Sequence, residues 1–204
     1  MKKFVIASLV TLIAGAASAQ EVKHPDPAGL DEVIKSSFSK MPKGWESRFV
    51  QDETQHICSV YHYNPPTAEM DKIQKAETAK IKLPADGKVI GDWKAGEKIA
   101  YSGKGGRIKD KPGTVNGGNC YACHQIDPKE ITYGTVGPSL AGYGRIRKYS
   151  AEDAKTAFTK IYDSKATVAC SAMPRFGASG FLSEQQIKDV VAYLFDPASP
   201  VNKK

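Results

Sequence analysis

The chain has 204 residues, 41% of them hydrophobic and 25% charged, with a formal net charge of +7. These are globular proportions for one domain with an extension, and the dispersed basic residues, without aromatic interleaving, argue against nucleic-acid binding. Beyond the first twenty residues no apolar run is long enough to span a bilayer, so stable membrane insertion is not expected.

Residues 1–19 read as a secretory signal peptide. Lys2 and Lys3 precede an apolar stretch from Phe4 to Ala14, and Ala17-Ser18-Ala19 is a small-residue cleavage site. An uncleaved anchor is the alternative. Export points to the periplasm, a compartment where disulfides persist. Residues 20–88 form an N-terminal extension that is partly helical. Asp26 caps a helix with Pro27 at its first position, and Leu30, Val33, Ile34 and Phe38 follow near helical spacing. The stretch from Gln55 to Tyr63 is ambiguous; extended backbone is one reading. Asn64-Pro65-Pro66 is a break, after which Thr67 caps a helix to about Lys80 with Met70 and Ile73 on one side. Leu83 to Gly87 is a turn-rich linker.

Residues 89–204 form the second unit. Asp92 opens a helix to about Tyr101, and glycines at 103, 105 and 106 end it. Ser150 starts another, with Asp153 as its capping partner and Ala154, Ala157, Phe158 and Ile161 on one face. In the last helix Ser183 and Gln186 make a capping box, Ile187, Val190, Val191 and Leu194 form the apolar stripe, and Pro197 stops the helix. No segment alternates as a strand, so the fold is expected to be mainly α.

Cys120-Tyr121-Ala122-Cys123-His124 is a C-x-x-C-H sequence, the attachment signature of a c-type haem. Two thiols on one tight turn can each add to a vinyl group of the same porphyrin, and the adjacent imidazole can reach its iron. A zinc site would need a second pair of ligands at similar spacing, and a thioredoxin-like redox pair would need a βαβ context. The motif occurs once, so one covalently bound haem c is expected. Electron transfer suits a methionine opposite the histidine. Met173, followed by Pro174 in a loop between two helices, is the first choice and Met41 the second; a gap-filling core role is the alternative for either. His24, His56 and His62 are the candidates for bis-histidine ligation. Cys58 and Cys170 remain, and in an oxidising compartment a leftover pair most simply forms a disulfide. A reactive thiol or an iron ligand is the other reading.

With these residues in place, the chain resembles a class I cytochrome c. More narrowly, Asn119 to His124, Thr135 to Gly144, Met173-Pro174-Arg175-Phe176-Gly177 and Asp189 to Val201 resemble the SoxX family, the monohaem subunits of the SoxAX cytochromes of bacterial sulfur oxidation. The resemblance implies a class I cytochrome c fold, His124 as proximal and Met173 as distal ligand, and the Pro138 carbonyl accepting from the imidazole Nδ1–H. It implies that Gly96 lets the first domain helix cross the last one near Tyr193. It also implies a SoxA-type partner whose cysteine joins thiosulfate to a cysteine of the carrier SoxYZ. In that arrangement this chain accepts the released electrons, passes them to a further cytochrome, and makes no bond itself. A free carrier serving an oxidase is a rival reading, as is a haem enzyme or gas sensor with an open distal position.

Overall fold

A computed structural model describes residues 29–203. The signal-peptide reading of residues 1–19, and His24, Asp26 and Pro27, lie outside that range. Seven α-helices, joined by short 3-10 turns, make up the described residues, and no strand occurs among them.

α1 (Leu30–Ser37) follows Gly29, whose φ of 83° suits a residue without a Cβ. Its expected apolar stripe reaches no core: none of its residues is buried, and Val33 is 60% exposed. Phe38, just past its end, packs its ring 4.6 Å from that of Phe49. α2 (Glu53–Val60) corrects the extended reading of Gln55 to Tyr63. Asp52 accepts from the backbone N–H of Gln55, and the Gln55 side chain accepts from that of Asp52. This capping box was written in the sequence as D-x-x-Q, and it decides the backbone before the β-branched residues do. α3 (Thr67–Thr78) begins one residue earlier than expected: Thr67 is its first residue rather than its cap, and Pro66 precedes it without a side-chain bond. Its apolar side buries Ile73 and packs Met70 against Cys58.

The main core is built by α4 (Trp93–Tyr101), α6 (Ala151–Tyr162) and α7 (Glu184–Phe195), with the short α5 (Tyr143–Ile146) at one end. All four residues predicted on the α6 face are buried, as are the four of the α7 stripe. Ser183 and Gln186 form the capping box, whereas Ser150 accepts from Asp153 N–H without the reciprocal bond. α4 and α7 meet at Gly96: a Cβ there would lie 1.9 Å from the Asp189 carbonyl oxygen and 3.0 Å from Tyr193 Cβ. Only glycine lets the two backbones come that close. The crossing is locked at its end by the buried Asp189 carboxylate, which accepts from Asp92 N–H (2.9 Å) and Gln185 Nε2 (2.7 Å).

Residues 29–88 bury far less. Their cluster holds Cys58 and Ile73 with Ala169 from the far side. Polar and covalent contacts fasten them to the rest. Cys58 and Cys170 are joined by a disulfide with Cα atoms 5.5 Å apart. Gln74 donates to the Thr167 carbonyl (2.8 Å) and Arg48 to that of Gly106 (2.8 Å). Arg175 reaches back to Asp52 and Glu77.

Candidate haem site

The segment entering the motif is held against the end of α4. Gly118 N–H donates to Ile99 (2.8 Å) and Asn119 N–H to Ser102 (3.0 Å). Asn119 takes left-handed backbone, φ 46°, and a 3-10 turn then carries Cys120–Ala122. His124 N–H donates to the Cys120 carbonyl at 2.9 Å, so both thiols and the imidazole leave one turn. Tyr121 anchors this turn from below. Its ring stacks on Tyr101 with centroids 4.1 Å apart, and its hydroxyl meets the Tyr193 hydroxyl at 2.9 Å and accepts from Asp127 N–H. Burial pushes the phenols of Tyr101, Tyr121 and Tyr193 upward, so all three stay neutral.

The chain from Gly134 to Leu140 then wraps the imidazole. Gly137 N–H donates to Cys123 (2.8 Å) and Leu140 N–H to Gln125 (2.7 Å). A Cβ on Gly137 would fall 2.1 Å from His124 Cε1, so the ring needs a glycine there. His124 Nδ1 lies 2.7 Å from the Pro138 carbonyl oxygen. A carbonyl only accepts, so Nδ1 carries the hydrogen and Nε2 keeps its lone pair for a metal.

The residues present fit a c-type haem better than the rivals. Cys120 and Cys123 are both free and half-buried. Burial pushes the Cys120 thiol up to about 12, the opposite of the low value that a redox-active pair uses. Among the described residues no group of three or more His, Cys, Asp or Glu could hold a metal ion, which disfavours zinc. Met173 packs against the same core cluster as Cys120 and Leu140. Its loop is pinned at both ends of the residue: Ser164 donates to the Met173 carbonyl, and Met173 N–H donates to Ser171 Oγ (3.2 Å). A cavity of about 380 Å³ with largely apolar walls runs between Gly117–Asn119, just before Cys120, and Pro174, Phe176 and Phe181, just after Met173. Met70 belongs instead to the small cluster around Cys58, and Met41, His56 and His62 lie in residues 29–88. With Cys58 and Cys170 joined, neither is a free thiol, and the bridge sits three residues before Met173.

Sequence reasoning missed a buried charged cluster behind this loop. Asp52, Glu77, Asp163, Lys165 and Arg175 come from five separated positions. Glu77 and Asp163 are fully buried and Lys165 nearly so. Burial and then the neighbouring Glu77 carboxylate push Asp163 up to about 6. Glu77 lies below its ordinary value: burial opposes this, but bonds from Thr54 and Lys80 outweigh it. Only the wide spacing of these residues hid them, since each alone reads as solvated charge.

The family profile described as Cytochrome c matches residues 113–196. A protein of Aquifex aeolicus (strain VF5) described as an uncharacterized lipoprotein is 40% identical over 190 residues, spanning 92% of this chain and 89% of the relative. The chain contains a cytochrome c domain. Its helical architecture is the mainly α class I cytochrome c fold, its family function is electron transfer, and the family implies a covalently bound haem c. No helix among the described residues is long and apolar enough to cross a membrane.

Proposed function

We propose that this cytochrome c is an exported, periplasmic one-electron carrier with a single haem, acting as the electron-accepting subunit of a SoxAX-type complex. Cys120 and Cys123 hold the haem by thioethers, His124 is the proximal ligand and Met173 the distal one. The haem supplies a one-electron couple. This chain's residues fix its axial ligands, keep water from its apolar surroundings and present it to partners. The observation that carries the ligand assignment is the 2.7 Å contact between His124 Nδ1 and the Pro138 carbonyl, which leaves Nε2 as the metal-facing atom. The placement of Met173 in the core shared with Cys120, on a loop tied down by Ser164, Ser171 and the disulfide, supports the distal role.

The sulfur-oxidation role rests on the sequence resemblance over Asn119–His124, Thr135–Gly144, Met173–Gly177 and Asp189–Val201. In this reading a SoxA-type partner carries the bond-making cysteine, SoxYZ carries the sulfur, and electrons leave to another cytochrome. Co-expression with a SoxA-type subunit under haem maturation, followed by a pull-down and an absorption spectrum, tests it. The reading expects a stable heterodimer and, in the oxidised protein, a methionine-to-ferric charge-transfer band that Met173→Ala removes. Recovery of this chain alone with that band intact would favour a free carrier. Five-coordinate iron that rapidly binds carbon monoxide when reduced would favour a gas-binding haem protein.

A further inference from the structure

A second cavity, of about 250 Å³, lies between α2 and the Met173 loop, on the side of that loop where the disulfide attaches. Its walls include Gln55 and Ser59 from α2, and Lys165, Ser171, Met173 and Arg175 from the other side. The lining is rich in donors. Lys165 is only 8% exposed, yet among the described residues its ammonium makes no hydrogen bond and no ion pair. Nor is that nitrogen sealed off, because Asp163 Oδ2 is the only fully inaccessible side-chain polar atom left without a partner among them. Lys165 is itself one of the residues that line the cavity. Gln55 accepts through Oε1 from Asp52 N–H, which leaves its amide Nε2 hydrogens unused. Ser59 Oγ accepts from Gln51, and Ser171 Oγ from Met173 N–H; neither hydroxyl hydrogen has a protein acceptor. Arg175 spends two of its donors on Asp52 and Glu77 and adds its positive field.

No carboxylate lines this cavity. Asp52 and Glu77 are turned to Arg175, and Asp163 to the backbone N–H of Lys165 and to Glu77. A buried ammonium without a hydrogen-bonded partner is costly, and the nearby Asp52, Glu77 and Asp163 carboxylates offset only part of that cost. Surrounded by spare N–H and O–H donors, with no carboxylate among the lining residues, it fits one kind of occupant. We propose that this cavity binds a small tetrahedral oxyanion, held by the Lys165 ammonium with Gln55, Ser59 and Ser171 as further donors. The site goes beyond the electron-transfer reading and does not rest on it, since none of its proposed donors, Lys165, Gln55, Ser59 and Ser171, is a proposed haem ligand.

Isothermal titration of the mature haem-loaded protein with sodium sulfate tests the site, against sodium chloride at the same ionic strength. Saturable sulfate binding without an equal chloride response is expected. Lys165→Met should weaken it at least about tenfold and Lys165→Arg should restore most of it. Ser59→Ala, which leaves the buried charges alone, should weaken it roughly threefold and serves if Lys165→Met does not fold. No saturable heat with sulfate, an equal response to chloride, or unchanged sulfate binding in Lys165→Met or in Ser59→Ala would overturn the proposal.

Discussion

Residues 29–88 and residues 89–203 are both helical, yet different physics holds them in place. The second region closes on a contiguous apolar core that includes Phe158, Ile187, Val191 and Tyr193, each essentially inaccessible to water. Burial on that scale contributes roughly 1.5–3 kcal/mol per large side chain. The first region has no such core. α1 buries nothing, and the buried residues that this region gives to its apolar cluster are Cys58 and Ile73. One disulfide, a buried charged cluster and a few long-range hydrogen bonds do the fastening instead. Amphipathic patterning therefore places a helix in chain order, but it does not say whether anything will cover the apolar face. The fastened segment lies on the Met173 loop, so its attachment bears on the proposed distal ligand as well as on stability.

The sharpest break should come from the covalent tie. Cys58→Ser with Cys170→Ser opens a loop spanning 112 residues and should cost about 4–5 kcal/mol on the chain-entropy account. Amide exchange should show the loss concentrated in α2, α3 and residues 164–175. Uniform weakening of α4 and α7 would contradict the comparison. Next, Phe158→Ala should cost about 3–4 kcal/mol in urea unfolding, through the void left in a core that cannot collapse. Arg175→Gln leaves the buried Glu77 carboxylate short of a partner and should cost roughly 2–3 kcal/mol, mostly from the first region.

A smaller effect depends on pH. Asp163 is pushed up to about 6 from 3.8 by burial and then by Glu77, so the folded protein holds a proton that the unfolded chain releases. Its contribution is complete below about pH 4 and is lost as pH rises through about 6. Asp163→Asn keeps an acceptor for Lys165 N–H and gives Glu77 a donor. It should stabilise the protein by roughly 1–2 kcal/mol at pH 8 and change little at pH 4. Equal effects at both values would refute the account of a proton held on Asp163. At the bottom of the scale, Lys72→Ala removes an exposed pair with Glu69 at 3.2 Å and should shift stability by less than about 0.5 kcal/mol.

The legibility of the sequence followed the same divide. α4, α6 and α7 could be read because cap, stripe and stop agreed, as at Ser183, Gln186, Ile187 to Leu194 and Pro197. The thiols and imidazole of residues 120–124 could be read because attachment chemistry demands adjacency. α2 was obscured by its β-branched Thr54, Ile57 and Val60 and by the tyrosines that follow it, although Asp52 and Gln55 encoded its start. The Asp52–Arg175 and Glu77–Asp163 relations join positions 123 and 86 residues apart, and no local pattern announces a contact made only by folding. The Gly137 requirement was invisible for the same reason, since the ring it makes room for is thirteen residues earlier.

The account depends on Cys120 and Cys123 being thioether-linked to one haem gripped by His124. Intact mass spectrometry of protein matured in a periplasm that attaches haem measures this directly. The account predicts the polypeptide plus one haem, with both sulfurs refractory to alkylation after denaturation. The bare polypeptide mass, with Cys120 and Cys123 both alkylated, would contradict it.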